Sequence, residues 1–303
     1  METAEAEKEE AKERVWKSPD GREIRVAGSA GFCFGVKRAV DGLSDLAAKA
    51  DGPVYTYGPI IHNETVVKDF EKQGVALYDE KTPLSCLSKG TMVLRSHGVS
   101  RQVVTELEET GFQICDATCP FVGKIHRTVE QYSKDGYYII ILGDPRHPEV
   151  EGITGWVVGD RYKVISTEDE AEALSLPPET KVCVVSQTTF RFDKFEKLVE
   201  MIEQKGYDTY AQNTICNATE LRQREAAELS AWADVMLVIG GKNSSNSRKL
   251  FDICREACKQ TYFLQTAEEL FLPDLHSIQH IGITAGASTP EKIIEEVFQK
   301  CQK

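Results

Sequence analysis

The chain has 303 residues, enough for about two domains of ordinary size, and is 41% hydrophobic and 28% charged, as a globular protein with a sizeable core should be. No apolar run approaches the roughly 20 residues of a membrane-spanning helix. A formal net charge of −12 argues against nucleic acid or a membrane surface as partner, although a local anion pocket remains open to an acidic protein.

Residues 1–23 are mostly charged and acidic and are expected to form a solvated tail. They hold neither the apolar stretch of a secretory signal nor the basic composition of an organellar presequence, so a cytoplasmic location is expected. Ser18-Pro19-Asp20-Gly21 then turns the chain into a first strand. The nine cysteines, with no secretion signal, point away from a disulfide framework and leave packed thiols, metal ligands or nucleophiles.

From that turn onward the layout repeats. Strand 24–27 runs into Ser29-Ala30-Gly31-Phe32-Cys33-Phe34-Gly35, and Val36, Val40, Leu43 and Ala47 then mark one face of a helix. Strand 54–57 ends in Ile61-His62-Asn63. Strand 92–94 ends in Arg95-Ser96-His97-Gly98 and leads to a helix over 102–109. The second round starts with strand 112–114 and Asp116-Ala117-Thr118-Cys119-Pro120, with Pro120 suited to a first helical turn and Val122, Ile125, Val129 and Tyr132 as the apolar stripe. Strand 137–142 ends in Arg146-His147-Pro148-Glu149. Strand 182–185 ends in Ser186-Gln187-Thr188-Thr189, before a helix over 192–204. The third round has Asn213-Thr214-Ile215-Cys216-Asn217, a more polar helix with Leu221, Leu229 and Trp232 as inner positions, and strand 235–239 ending in Lys242-Asn243-Ser244-Ser245-Asn246. Strand 281–283 then ends in Ala285-Gly286-Ala287-Ser288, before a helix over 291–302.

The expected architecture is therefore α/β: three parallel-sheet units of about 90 residues, over 30–115, 116–213 and 214–303, in a pseudo-threefold trefoil. The strand at 24–28 is available to complete the third. Polar loops at the carboxyl ends of parallel strands form the binding crevice, so an axis relating the units gathers three cysteines and six loops. Thiolates select iron–sulfur clusters, zinc or copper(I), and zinc sites usually show short Cys-x-x-Cys spacings that are absent here. Three thiolates from three equivalent units suit a 4Fe–4S cluster whose fourth iron stays open for substrate. Any one of these cysteines alone reads as a packed residue at a tight turn. Cys254 with Cys258, and Cys115 with Cys119, share metal-like spacings but have no repeated counterpart and read as packing.

His62, His97 and His147 fall in the central loops, with Thr188, Ser244, Ser245, Asn246 and Ser288 as short donors. Several begin or precede helices, where backbone N–H groups favour anions. There is no P-loop and no Asp pair for Mg²⁺, so the set suits a diphosphate held without a metal ion; helix capping is the plainer role of Ser244-Ser245-Asn246. Glu149 is the one carboxylate that the repeat places in this centre, a candidate general acid, with Glu151 as its decoy.

Ala30-Gly31-Phe32-Cys33-Phe34-Gly35-Val36, Asp116-Ala117-Thr118-Cys119-Pro120, His147-Pro148-Glu149-Val150-Glu151-Gly152, Asn243-Ser244-Ser245-Asn246-Ser247 and Thr284-Ala285-Gly286-Ala287-Ser288 together resemble the 4-hydroxy-3-methylbut-2-enyl diphosphate reductase family, from about Ile24 onward. The resemblance implies one central 4Fe–4S cluster on Cys33, Cys119 and Cys216. It implies a diphosphate held by His62, His97, Ser244, Asn246 and Ser288, with His147 and Ser245 adjoining, and Thr188 and Glu149 near the substrate hydroxyl. It also implies production of isopentenyl and dimethylallyl diphosphate with electrons from a donor such as ferredoxin or flavodoxin. A quinolinate-synthase-like enzyme and a non-enzymatic zinc protein are the competing readings.

Overall fold

A computed structural model describes residues 13–271 and 278–302. The chain opens with an antiparallel hairpin of β1 (Arg14–Lys17) and β2 (Glu23–Val26), turned where Gly21, at φ 95°, donates its N–H to the Ser18 carbonyl. It continues with α1 (Phe34–Lys49), β3 (Val54–Tyr57), α2 (Glu64–Lys72), β4 (Val75–Tyr78), β5 (Thr91–Leu94), α3 (Arg101–Thr110) and β6 (Gln113–Asp116). The next round is α4 (Pro120–Lys134), β7 (Tyr138–Leu142), α5 (Pro148–Thr154), β8 (Tyr162–Ile165), α6 (Glu168–Glu172), β9 (Lys181–Ser186), α7 (Phe192–Glu203) and β10 (Asp208–Ala211). The last is α8 (Asn217–Trp232), β11 (Val235–Ile239), α9 (Ser245–Ala257), β12 (Thr261–Leu264), β13 (His280–Ala285) and α10 (Glu291–Cys301).

These elements make three sheets of one pattern, ordered β4-β3-β5-β6, β8-β7-β9-β10 and β12-β11-β13-β2-β1, parallel except for the β1–β2 hairpin. In each, the strand beyond the third is the one that leads into a cysteine: β6 before Cys119, β10 before Cys216 and β2 before Cys33. The third sheet is closed from the far end of the chain, with Ile24 opposite Ile281 and Val26 opposite Ile283. By contacts the chain divides into two compact units. One takes the described residues up to Cys33, His62–Glu64 and those from Asn217 onward, and holds the third sheet. The other takes Phe34–Ile61 and Thr65–Cys216, and holds the first two.

Central strands are apolar throughout because helices cover both of their faces. Ile139 to Leu142 on β7 and all of β11 are fully buried. On one side of the third sheet Ile24, Leu237, Ile239 and Ile283 pack with Ile294 and Val297 of α10. On the other, Met236 and Val238 pack with Ala226 and Leu229 of α8 and Leu250 of α9. Helix ends follow local chemistry. Ser100 caps α3 by accepting from the Val103 N–H, and Gly111, left-handed at φ 74°, ends it. Pro120 opens α4 and Pro148 opens α5, where a missing N–H costs nothing.

The sequence pattern did not predict β4, β8 and β12, the strands flanking β3, β7 and β11. They are short and partly exposed, so they lack the apolar run that marks the central strands. Arg14–Lys17, expected within a solvated tail, is strand β1, with Trp16 packed on the third sheet's core; residues 1–12 lie outside the described set. Helix α8 also differs from expectation. Leu229 is buried, but Leu221 and Trp232 are only half-buried, and the inner face is completed by Thr219, Arg222, Gln223, Ala226 and Ser230.

Candidate active site

The three repeat cysteines occupy one structural position. Each donates its backbone N–H to a carbonyl in the loop just past the third strand of its sheet: Cys33 to Ala287 at 3.2 Å, Cys119 to Ser96 at 3.0 Å and Cys216 to Thr188 at 3.2 Å. The thiol thus stands at the carboxyl end of the sheet with a helix starting right after it. All three are half-buried. The other cysteines behave differently. Cys183, Cys254 and Cys301 are buried, and burial pushes each thiol up to about 12. Cys254 and Cys258 pack among Ala226, Met236 and Leu250, Cys115 is half-buried on β6, and Cys86 is exposed.

Two contacts join the start of α1 to the Cys119 loop. Gly35, two residues after Cys33, lies so close to the Cys119 Sγ that a Cβ there would collide with it. Arg38, on the same helix, donates from Nη1 to the Thr118 carbonyl at 3.0 Å. The loop before Cys33 is fixed by α8: Arg222 is 4% exposed and donates from Nη2 to the Gly31 carbonyl at 2.7 Å, and the Ser29 N–H donates to Glu225 at 2.9 Å. Sequence reasoning missed Arg222 and Glu225. Their signal was the polarity of α8, read only as weak amphipathicity.

Glu149 lies in the first turn of α5 and is 2% exposed. Its carboxylate accepts from the Thr188 N–H at 2.6 Å and from the Thr188 hydroxyl at 2.9 Å. His147 caps the same helix: its Nδ1 accepts the Glu149 N–H at 3.1 Å, which puts the neutral ring's proton on Nε2. The His97 ring meets the His147 ring edge-to-face, centroids 5.6 Å apart. The His97 loop is pinned from behind by His126 of α4. Its ring stacks on Trp156 at 5.2 Å, and a side chain on Gly98, at φ 75°, would run into it. Burial holds the His126 imidazole down to about 4, so it is neutral near pH 7.

The unit containing the third sheet gathers a second set of donors. Ser244 caps α9, accepting from the Ser247 N–H at 3.3 Å. Ser288 donates from Oγ to the His62 carbonyl at 3.2 Å and lies 3.5 Å from the Ser244 Oγ. His62 Nδ1 donates to the Asn243 carbonyl at 2.7 Å. Asn63, a residue of the predicted loop not singled out beforehand, is buried and ties Nδ2 to the Ser288 carbonyl at 2.9 Å. Asn246 is 4% exposed, and its Nδ2 has no hydrogen-bond partner. A buried donor left unpaired costs about 1–3 kcal/mol. Ser245 occupies the first position of α9.

Comparison with known proteins narrows the reading. A family model described as LytB protein matches residues 24–302. The chain belongs to the LytB family. Curated LytB-type relatives named 4-hydroxy-3-methylbut-2-enyl diphosphate reductase include one from Caldanaerobacter subterraneus subsp. tengcongensis, 47% identical over 279 residues, covering 92% of this chain and 96% of the relative. Another, from Clostridium perfringens, is 43% identical over 285 residues, covering 93% of this chain and 99% of the relative. Among solved structures, the E-1-hydroxy-2-methyl-but-2-enyl-4-diphosphate reductase of Plasmodium falciparum matches with a TM-score of 0.86 at 27% identity, covering 91% of this chain and 87% of that one. A second, titled (E)-4-hydroxy-3-methyl-but-2-enyl diphosphate reductase, the terminal enzyme of the non-mevalonate pathway, matches with a TM-score of 0.66 at 38% identity, covering 92% and 98%. Among the described residues no helix is long and apolar enough to cross a membrane.

Proposed function

We propose that this chain reduces 4-hydroxy-3-methylbut-2-enyl diphosphate to isopentenyl and dimethylallyl diphosphate, the last step of the non-mevalonate isoprenoid pathway, on a 4Fe–4S cluster held by Cys33, Cys119 and Cys216. The observation that carries the site assignment is the shared position of the three cysteines, each hung by its N–H from a third-strand loop. Half-buried thiols at helix starts suit a soft metal centre, and three ligands leave one iron open. That arrangement also supports a division into three α/β units, at 30–115, 116–213 and 214–303 with the strand at 24–28, each giving one ligand.

When bound, the cluster supplies electrons and a Lewis-acidic iron for the allylic oxygen. The chain's own groups bind, orient and protonate. Ser244, Asn246 and Ser288, with the adjoining Ser245, offer neutral donors at the start of α9, where the dipole favours a diphosphate, and His62 adds its ring. His97 and His147 add ring N–H groups, and the clamp fixes the carbon skeleton. Thr188 and Glu149 stand at the substrate hydroxyl. The Thr188 hydroxyl already bonds the Glu149 carboxyl, so a proton can pass from Glu149 through Thr188 to the departing oxygen. Each turnover takes two electrons and two protons and releases one water, with the electrons arriving from a donor such as ferredoxin or flavodoxin. Anaerobically purified protein given the substrate and reduced methyl viologen should form both five-carbon diphosphates, separable by chromatography. Protein containing zinc and no iron or sulfide, and inactive under those conditions, would overturn the proposal.

A further inference from the structure

We propose that the exposed faces of α1 and α4, beside Cys33 and Cys119, form the dock for an acidic protein electron carrier. The inference rests on the reductase reading and adds the surface through which electrons enter. Reduction needs electrons from outside the chain, and none of the 22 glycines form the G-x-G that opens a dinucleotide-binding turn. A separate carrier must therefore approach the thiols.

The rim of α1 offers the approach. Phe34 directly follows Cys33 and is 53% exposed, a large apolar surface where folding needs none. Gly35 packs against the Cys119 Sγ, so this rim lies one or two residues from two of the three thiols. The first eight residues of α1 and of α4 carry four cations between them. Lys37 keeps 68% of its side chain exposed, Arg38 bridges to the Thr118 carbonyl, and Lys124 and Arg127 are exposed on α4. Arg127 folds back toward the start of its helix, with Nη1 3.5 Å from where a Cβ on Gly123 would stand.

Helix electrostatics oppose this placement. The first turns of α1 and α4 hold no acidic residue, although the helix dipole favours a carboxylate there and disfavours a cation such as Lys37. Of the neighbouring acids, Asp41 is paired with Lys37 at 2.7 Å and Asp116 accepts the Thr118 N–H at 2.9 Å. Across the two helices Lys37, Arg38, Lys49, Lys124, Arg127 and Lys134 outnumber Asp41, Asp45 and Glu130, on a chain of net charge −12. Exposed cations on helices that also carry an exposed aromatic ring match a protein partner, with charge to steer and an apolar group to hold, better than a small anion. Each encounter passes one electron from the carrier. Two carriers are oxidised for each allylic C–O bond broken, while two protons are taken up and one water leaves.

The test uses holoenzyme, wild type and Lys37→Glu/Lys124→Glu/Arg127→Glu, none of which touches the substrate or thiol groups described above. The probe carrier is a flavodoxin. Binding is titrated at about 20 and about 200 mM ionic strength, across which the screening length shortens severalfold. Turnover is measured with reduced flavodoxin and, separately, with reduced methyl viologen. Wild type should bind flavodoxin less tightly at high salt. The variant should bind weakly at both, and its kcat/KM for flavodoxin should fall about 10- to 100-fold with methyl viologen turnover unchanged. Unchanged flavodoxin binding and turnover in the variant would overturn the dock, and so would an equal loss with methyl viologen, which assigns the cations to the site itself. Wild type that binds flavodoxin in a salt- and patch-dependent way but turns over with neither donor would sink the reductase reading and leave the dock standing.

Discussion

Replacing Glu149 by Gln tests the proton path most directly. The side chain is 2% exposed, and its two oxygens accept from the Thr188 N–H at 2.6 Å and the Thr188 hydroxyl at 2.9 Å. Gln matches Glu in shape. Its carbonyl keeps the bond from the N–H, and its amide donates to the Thr188 hydroxyl, which turns to accept. Because both bonds are kept, the structural cost is within about 1 kcal/mol. Folding and cluster content should therefore change little. Catalysis should change greatly, because an amide has no proton to give at neutral pH. Loss of a general acid costs about 10²- to 10⁴-fold, or about 3–5 kcal/mol on the barrier. The assay is steady-state turnover with reduced methyl viologen, alongside iron and sulfide content and the substrate Kd. A variant with full iron, unchanged Kd and wild-type kcat would refute the role given to Glu149, whereas lost iron would show that the residue supports the cluster instead.

Cys119→Ser should leave far-UV circular dichroism unchanged but reduce iron and sulfide to near background, because an alcohol is a poor ligand for a soft metal centre; full iron content in that variant would remove Cys119 from the ligand set. Asn246→Ala should leave the melting temperature unchanged or slightly raised, since it removes a buried donor that has no partner in the protein, yet weaken diphosphate binding by about 1–3 kcal/mol, read by titration calorimetry with the substrate. His126→Phe should flatten acid unfolding. The native imidazole is held at about 4 against an ordinary value of 6.5, so the unfolded chain binds its proton first. Stability is whole above about pH 6.5 and falls as pH drops toward about 4, by up to about 3 kcal/mol that the Phe variant should not lose. Urea denaturation at a series of pH values measures the difference.

Much of this molecule was legible in its sequence because the informative features are local and repeated. The runs at 138–142 and 235–239 are apolar on both faces, so the pattern alone marks central parallel strands. Cys33, Cys119 and Cys216 each follow a strand and precede a helix, and recurrence separated them from the six other cysteines. Edge strands such as Val75–Tyr78 were illegible because half of their residues face water and the short segment carries no distinct period. Helix α8 was misread at Leu221 and Trp232 because its buried face joins packed hydrocarbon at Ala226 and Leu229 with a polar group, Arg222, that bonds the neighbouring loop.

By itself, then, the order of residues determined the alternating α/β elements, the thrice-repeated cysteine turn and the polar loops that follow the strands, since each depends on neighbours a few positions apart. Only the tertiary structure decided the rest. It joined β2 to β13, seated Glu149 on Thr188, buried the Asn246 amide without an acceptor, and drove Arg222 into the Gly31 loop. The first, second and last of those facts are pairings between distant segments. Their partners are chosen when burial withdraws water from polar groups and leaves whichever acceptor the packing brings within reach.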